Sequence, residues 1–80
     1  MNERTRLQWQ CRRGMLELDL LLQSFLDHGY DRLDAEARQA FDQLLDYPDQ
    51  LLLEYLMELS QPLDARIAHV IKCIRQTAAA

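Results

Sequence analysis

Apolar side chains along the chain recur three and four positions apart, the spacing that places them on one face of an α-helix. Two runs show this spacing most clearly, at positions 18–25 and 67–74. No stretch alternates between apolar and polar residues with a period of two, so the pattern predicts no β-strand. The chain is therefore expected to fold as an all-α protein.

Glycine and proline residues divide the helical pattern into five segments. Gly14 ends the first segment, Gly29 is expected to cap the C-terminus of the second, and prolines follow the third and fourth. The predicted segments are 3–13, 15–28, 34–47, 49–59 and a fifth that begins at an N-cap, Asp64. Connections this short are typical of helices packed as neighbours, so a compact five-helix bundle is expected. Residues 1–80 are predicted to form one domain whose ends, 1–3 and 77–80, are frayed.

Particular side chains extend this prediction to caps and buried faces. Asp34 is a good N-cap for the third segment, because its carboxylate can accept a backbone N–H of the first turn. In the second segment Leu20 and Leu26 widen the apolar face, and in the fourth segment Leu59 belongs to the apolar stripe. All three leucines are therefore expected on faces that pack in the core.

Composition favours a small binding protein over an enzyme. The chain has 80 residues, of which 49% are apolar and 28% charged, ordinary values for a folded domain. A domain of this size buries only about 60% of the surface of its unfolded chain, which leaves little room for a deep catalytic cavity. No apolar stretch reaches the roughly 20 residues that cross a bilayer, and no apolar signal core follows Met1. A cytoplasmic protein without membrane insertion is therefore expected.

Charge is spread unevenly along the chain, whose net charge is −4. Residues 1–13 carry +3, residues 14–64 carry −10 and residues 65–80 carry +3. This asymmetry can orient a charged protein partner. Duplex binding needs a basic face that neutralises phosphates, so the acidic middle argues against a helix-turn-helix DNA-binding protein. No nucleic-acid partner is expected.

Side chains that could carry out catalysis or bind a metal are sparse. His69 and Cys73 are four positions apart and could supply two ligands, but structural zinc needs about four. Core packing explains Cys73 as well, and no metal site is predicted. Cys11 lies beside Arg12, which could lower the pKa of its thiol, yet no base is near it in the sequence. Both cysteines are expected to stay as thiols in a reducing compartment, and no enzyme activity is predicted.

The most informative segment runs from Trp9 to Asp19, where Arg13 and Glu17 flank Gly14. Glycine has no Cβ atom, so the backbone of a partner could approach closely at this position. Arg13 can donate a fork of hydrogen bonds to a carboxylate or carbonyl, and Glu17 can accept from an amide or guanidinium. The segment can thus form a small docking surface that carries both signs of charge.

Local rules offer a second interpretation of the same residues. If Gly14 is the N-cap of the second helix, Glu17 is its third residue and can bond back to the cap amide in a capping box. Arg13 would then cap the carbonyl end of the first helix. Trp9 would be a core residue, whereas an exposed Met15 would indicate a contact surface. Physical rules alone leave both interpretations open.

The run Arg-Gly-Met-Leu-Glu at 13–17 matches Arg-Gly-x-x-Glu, the signature of a known family. The chain resembles the SdhE/YgfY flavinylation factors, which mitochondria have as succinate dehydrogenase assembly factor two. The likeness extends along nearly the whole chain, to Trp9, Cys11, Arg12, Leu18, Asp19, Tyr30-Asp31, Leu44-Leu45, Leu56-Met57, Pro62 and Asp64.

The resemblance implies a five-helix bundle with no catalytic activity of its own. It implies binding to the flavoprotein subunit of succinate dehydrogenase, and in many bacteria to that of fumarate reductase. The protein would promote the self-catalysed bond between the 8α-methyl group of FAD and a histidine of this client. It would do so by orienting domains of the client, and it would hold no cofactor stably.

The resemblance also implies which residues bind the partner. Arg13, Gly14 and Glu17 are the signature residues, whereas Leu16 and Gln10 fall at variable positions. Neighbouring partner-binding residues are expected at Arg6, Trp9, Arg12, Met15, Asp19 and Tyr30. A bacterial cytoplasmic member is expected, since no mitochondrial transit segment precedes the domain. A monomer is also expected. The alternative is an antitoxin-like or regulatory adaptor that binds a different protein.

Overall fold

Five α-helices joined by short turns form the structure, a computed structural model that describes residues 2–79. They are α1 (Glu3–Gln10), α2 (Leu16–His28), α3 (Ala35–Leu44), α4 (Asp49–Leu56) and α5 (Ala65–Ala79). A short 3-10 helix, Tyr30–Arg32, links α2 to α3. No strand occurs among these residues, so the prediction of an all-α, five-helix fold is confirmed.

The core lies where α5 packs against α2, α3 and α4, and α1 packs on α2. All the side chains buried within residues 2–79 are apolar. Phe25 of α2 and Phe41 of α3 pack together with ring centroids 5.4 Å apart. The other buried side chains are Leu7, Cys11, Leu18, Leu22, Leu26, Ala37, Ala40, Leu44, Leu45, Leu52, Leu56, Ile67, Val70, Ile71 and Ile74. Their removal from water is the main favourable contribution to folding.

Side-chain caps begin three of the helices. The Asp34 carboxylate accepts the amide of Ala37 at 2.8 Å at the start of α3, so the predicted N-cap is confirmed. The Asp64 carboxylate accepts the amide of Arg66 at 2.9 Å, which confirms the predicted cap of α5. Asn2 caps α1 in the same way, with a 2.8 Å bond from the amide of Thr5. Each cap satisfies a backbone donor that the helix itself leaves without a partner.

Three helices end earlier than the apolar pattern predicts. α1 ends at Gln10 rather than residue 13, because the amides of Arg13 and Gly14 bond the side chain of Asp19 in α2 instead of carbonyls of α1. α3 ends at Leu44 rather than residue 47, and the next residues turn through bonds that span three residues. α4 ends at Leu56 rather than residue 59, because Glu58 has a left-handed φ of 61°.

Two of the three leucines expected in the core are exposed. Leu26 is buried as predicted, but Leu20 is 61% exposed and Leu59 is 75% exposed. Leu20 is two positions from the buried Leu18 and Leu22, which places it on the other side of α2. Leu59 follows the left-handed turn after α4, so it has left the apolar stripe of that helix.

Gly29 is the C-cap of α2, as predicted, but not because of a left-handed backbone. Its φ is −123°, a value that other residues also adopt. An added Cβ would lie 2.6 Å from ring atoms of Phe25 and 2.7 Å from Oγ1 of Thr77. The close approach of α5 therefore leaves no space for a side chain at this position.

The ends of the chain are more helical than expected. α1 begins at Glu3, and α5 continues to Ala79, so part of each segment expected to fray is helical in the structure. Met1 and Ala80 belong to the segments expected to fray and lie outside the described residues. Within residues 2–79, no helix combines the length and apolar character that crossing a membrane requires.

Candidate functional site at the α1–α2 corner

The end of α1, the turn that follows it and the start of α2 form the α1–α2 corner, residues 9–19. Asp19, in the first turn of α2, holds the backbone of this turn. One oxygen of its carboxylate accepts the amide of Arg13 at 2.7 Å, and the other accepts the amide of Gly14 at 3.2 Å. Asp19, predicted to adjoin the partner surface, thus fixes the shape of its own corner.

Gly14 has a φ of +79°, in the left-handed region. This conformation costs other residues about 1–2 kcal/mol, so the turn itself favours glycine here. An added Cβ would meet nothing within 4 Å, which means that the space outside Gly14 is open. The glycine therefore has a local role in the turn and also leaves bare backbone accessible to a partner.

Arg13 points towards the turn between α3 and α4 rather than towards α1. Its Nη2 atom donates to the carbonyl of Leu45, the C-cap of α3, where a cation is favourable beside the negative helix end. Its Nε atom lies 3.5 Å from Oδ1 of Asp49, the first residue of α4. Only 17% of the side chain is exposed. The alternative in which Arg13 caps α1 is wrong, because the guanidinium joins the corner to α3 and α4.

Glu17 is exposed and is the second residue of α2, whose N-cap is Met15. The alternative capping box is wrong, because the helix begins one residue later than an N-cap at Gly14 requires. An acidic side chain in the first turn is favourable beside the positive end of the helix. The carboxylate of Glu17 takes part in none of the ion pairs formed within residues 2–79. It is accessible to a cationic or amide donor on a partner.

Trp9 and Arg12 form the other exposed part of the corner. Trp9 is 61% exposed, so its alternative assignment to the core is wrong. The guanidinium carbon of Arg12 lies 5.3 Å from the centroid of the Trp9 ring, in reach of a cation–π interaction. Met15 is half-buried and packs against the core. Trp9 and Glu17 are thus exposed to a partner, whereas Arg13 and Met15 are only partly exposed.

Arg6 and Tyr30, the two predicted site residues outside the corner, both have partners within the protein. Arg6 donates to Glu3, to Gln10 Oε1 at 2.7 Å and to Asp42 Oδ1 at 3.0 Å, and these carboxylates raise the pKa of Arg6. The bond to Asp42 joins α1 to α3, whereas Glu3 and Gln10 lie in α1 itself.

The ring of Tyr30 packs 5.5 Å from that of Phe41, and the Arg38 guanidinium lies 5.3 Å from its centroid. Burial raises the pKa of the Tyr30 hydroxyl. The side chain of Tyr30 thus belongs mainly to the packing between the 3-10 helix and α3.

The two cysteines have different surroundings, and neither resembles a catalytic thiol. Cys11 is fully buried, and this burial raises its pKa to about 11, although the charge of Arg13 acts in the opposite direction. A thiol of this kind is protonated and inert near neutral pH. Cys73 is half-buried, with its Sγ 3.7 Å from Nε2 of His69. No group of three or more metal-binding side chains occurs within residues 2–79.

The sequence reasoning missed two residues that flank this site. Leu16 is 78% exposed and Leu20 is 61% exposed, on the first two turns of α2. A helical projection could have found them, because they lie nearly opposite the buried face of Leu18, Leu22 and Phe25. The site therefore has an apolar side that the signature residues do not include.

Comparison with known proteins identifies the family of a chain with this fold and corner. Residues 5–78 match the model of the family described as the flavinator of succinate dehydrogenase. FAD assembly factor SdhE of Legionella pneumophila strain Paris is 45% identical over 73 residues, 91% of each chain. The SdhE of Coxiella burnetii is 39% identical over 71 residues, 89% of this chain and 87% of the relative. That of Yersinia pseudotuberculosis is 36% identical over 75 residues, 94% and 85% of the two chains.

The fold and the corner define a small all-helical protein whose first interhelical turn offers an exposed acid, an exposed aromatic and open backbone. Because the match covers residues 5–78, the chain belongs to the family of succinate dehydrogenase flavinators. The resemblance inferred from the signature at 13–17 is confirmed.

Proposed function

We propose that this protein promotes the covalent attachment of FAD to the flavoprotein subunit of succinate dehydrogenase. The observation that carries the proposal is the family match over residues 5–78. Relatives that share 36–45% of their residues with this chain are named FAD assembly factors. The same observation favours this function over an antitoxin-like or regulatory adaptor.

In this proposal the client docks on the exposed part of the α1–α2 corner. Glu17 offers an exposed carboxylate that forms no ion pair within residues 2–79, and a basic or amide group of the client can donate to it. Gly14 offers open space, so the client backbone can approach within van der Waals contact. Trp9, stacked with Arg12, adds a flat aromatic surface of the kind that often anchors interfaces.

Arg13 and Asp19 act in the proposal as positioning residues behind that surface. Asp19 holds the two amides of the turn, and Arg13 ties the turn to α3 and α4. Together they fix the orientation of Gly14 and Glu17 before the client arrives. Such preorganisation lowers the entropy cost of binding. Client contacts by Arg6, Met15 and Tyr30 stay predictions.

The chain acts as a binding protein in this proposal, and the client supplies both FAD and the acceptor side chain. The protonated, buried thiol of Cys11 offers no nucleophile near neutral pH. Orientation alone can account for about 7–11 kcal/mol of a barrier when reacting groups are well aligned. A small domain that holds the client in its reactive arrangement can therefore accelerate a reaction that the client catalyses itself.

The proposal is tested with the purified flavoprotein subunit, prepared without flavin and mixed with FAD in the presence or absence of this protein. Covalent flavin is measured as fluorescence that stays with the subunit in a denaturing gel. We expect faster accumulation with the native protein than with a heat-denatured sample of it. Equal rates in the two samples would show that the protein does not promote flavinylation.

The range of clients and the location of the protein belong to the same proposal. We include the flavoprotein subunit of fumarate reductase as a second client, and the same gel assay with that subunit tests it. The protein is proposed to act as a cytoplasmic monomer that binds no FAD itself. Titration of the free protein with FAD, followed by flavin fluorescence, should then give no saturable change.

A further inference from the structure

Two leucines on the first two turns of α2 face solvent beside Glu17. Leu16 is 78% exposed and Leu20 is 61% exposed. Residues four apart on a helix are neighbours, so the two side chains form one apolar surface on the side away from the core. Adjacent exposed apolar groups with a polar rim are typical of interaction sites, whereas single ones are common on any surface. This pair is called the α2 apolar surface below.

The charges around the α2 apolar surface indicate what covers it. Glu17 adjoins Leu16 in the chain, and Asp27 lies two turns beyond Leu20 on the same face of the helix. Asp27 is 59% exposed, and its one ion pair within residues 2–79 is a long contact with Arg4, at 4.0 Å. Anionic lipids would be repelled by these carboxylates, and a second copy of α2 would place like charges opposite each other. A protein surface with an apolar centre and a basic rim would be complementary to both the leucines and the carboxylates.

The α2 apolar surface is also continuous with the proposed docking site. Leu16 stands between Met15, the N-cap of α2, and Glu17, and it follows the open turn at Gly14 by two residues. Leu16 therefore lies in the chain between Gly14 and Glu17, the two residues that the proposal places against the client. Leu20 then extends the contact by one turn along the helix.

We infer that Leu16 and Leu20 form the apolar half of the docking site and receive an apolar patch of the flavoprotein subunit with a basic side chain at its edge. The inference rests on the proposed function and adds to it the chemistry of the partner surface. Burial of the Leu16 and Leu20 side chains contributes to the affinity. The contact between Glu17 and the basic group fixes the orientation of the client.

The test compares two double variants of the full-length protein. One is Leu16→Gln with Leu20→Gln, and the matched control is Leu59→Gln with Leu63→Gln, whose leucines are 75% and 104% exposed near the turn after α4. Glutamine is a helix former comparable to leucine, and circular dichroism checks that both variants melt like the parent. Calorimetric binding to the purified flavoprotein subunit is expected to weaken by about tenfold or more for the first variant only.

Each outcome of this test either supports or contradicts the inference about Leu16 and Leu20. Unchanged affinity of the Leu16/Leu20 variant, or equal loss in both variants, overturns the inference while the proposed function stands, because the unaltered protein still binds. Failure of the unaltered protein to bind contradicts the proposed function itself and the inference with it. If sedimentation shows that the Leu16/Leu20 variant loses self-association yet keeps full client affinity, the surface belongs to a second copy and the inference is wrong.

Discussion

The α1–α2 corner and the α4–α5 corner, residues 57–64, are built from similar parts. Each contains a residue with a positive φ, Gly14 at +79° and Glu58 at +61°. Each is held by an arginine that donates to a carbonyl at the C-terminal end of a helix, Arg13 at α3 and Arg75 at α4. Each also has two highly exposed leucines near it. The architecture alone therefore does not distinguish a docking corner from a structural one.

The two corners differ in which charged groups and which backbone atoms remain accessible to a partner. At the α4–α5 corner the acid is used internally, since the Glu58 carboxylate lies 3.1 Å from Nε of Arg75. At the α1–α2 corner Arg13 pairs with Asp49 instead, and Glu17 is left without an ion pair within residues 2–79. The positive-φ residue is a glycine at one corner and carries a side chain at the other. Only the first corner thus offers a partner both free charge and accessible backbone.

The largest effect is expected from Gly14→Arg, which fills the open space at the first corner. The left-handed φ costs the variant about 1–2 kcal/mol, less than the 5–15 kcal/mol of a typical domain, so it should stay folded. The client backbone can no longer approach, and covalent flavin in cells should fall to the level without the protein. Gly14→Ala is the matched control, because it has the same φ cost but little bulk. Full flavinylation with Gly14→Arg would remove Gly14 from the docking site.

A smaller effect is expected on stability when the two arginines are exchanged for alanine. Arg13→Ala should lower the free energy of unfolding by about 2–3 kcal/mol, because a charge-assisted hydrogen bond from a largely buried side chain is lost. Arg75→Ala should cost only about 1 kcal/mol, because Arg75 is 39% exposed and water can replace its contacts. Urea denaturation of both variants measures the difference. Equal losses would mean that the two corners are equally dependent on their arginines.

The smallest effect is expected from exchanges at the positive-φ positions. Gly14→Ala should destabilise the protein by about 1 kcal/mol, since the cost of the left-handed conformation exceeds the stabilisation that comes from the lower entropy of the unfolded chain. Glu58→Gly should change stability by less than about 0.5 kcal/mol, because relief of the left-handed conformation offsets the lost ion pair and the added chain entropy. Thermal melts of both variants test this order. Greater destabilisation by Glu58→Gly would reverse our account of the turn after α4.

The helices could be predicted from the sequence because each has apolar residues at the spacing of three and four positions that is typical of an α-helix. Residues 67–74 illustrate this, since their stripe is buried in α5 as expected. Caps at Asp34 and Asp64 were also predictable, because an N-cap bond reaches only two or three residues along the chain. These features depend on near neighbours, and the sequence displays near neighbours directly.

The helix ends and the role of Arg13 could not be predicted, because they depend on residues far along the chain. Arg13 bonds a carbonyl 32 positions away, at Leu45. α1 ends early because Asp19 takes the amides of a turn five and six residues before it. The signature at 13–17 identified the family, yet it did not show that its arginine is largely buried and its glutamate exposed. This difference in exposure between the two side chains is seen only in the structure.

The central claim is that Glu17 is free for the client, whereas Glu58 is used within the fold. The most direct measurement compares Glu17→Gln with Glu58→Gln in cells that lack the native protein, using in-gel flavin fluorescence of the succinate dehydrogenase flavoprotein subunit at equal variant abundance. We predict that Glu17→Gln lowers covalent flavin by about tenfold or more, because a charge-assisted contact is lost, and that Glu58→Gln stays near the unaltered level. Equal flavinylation by the two variants would contradict the account.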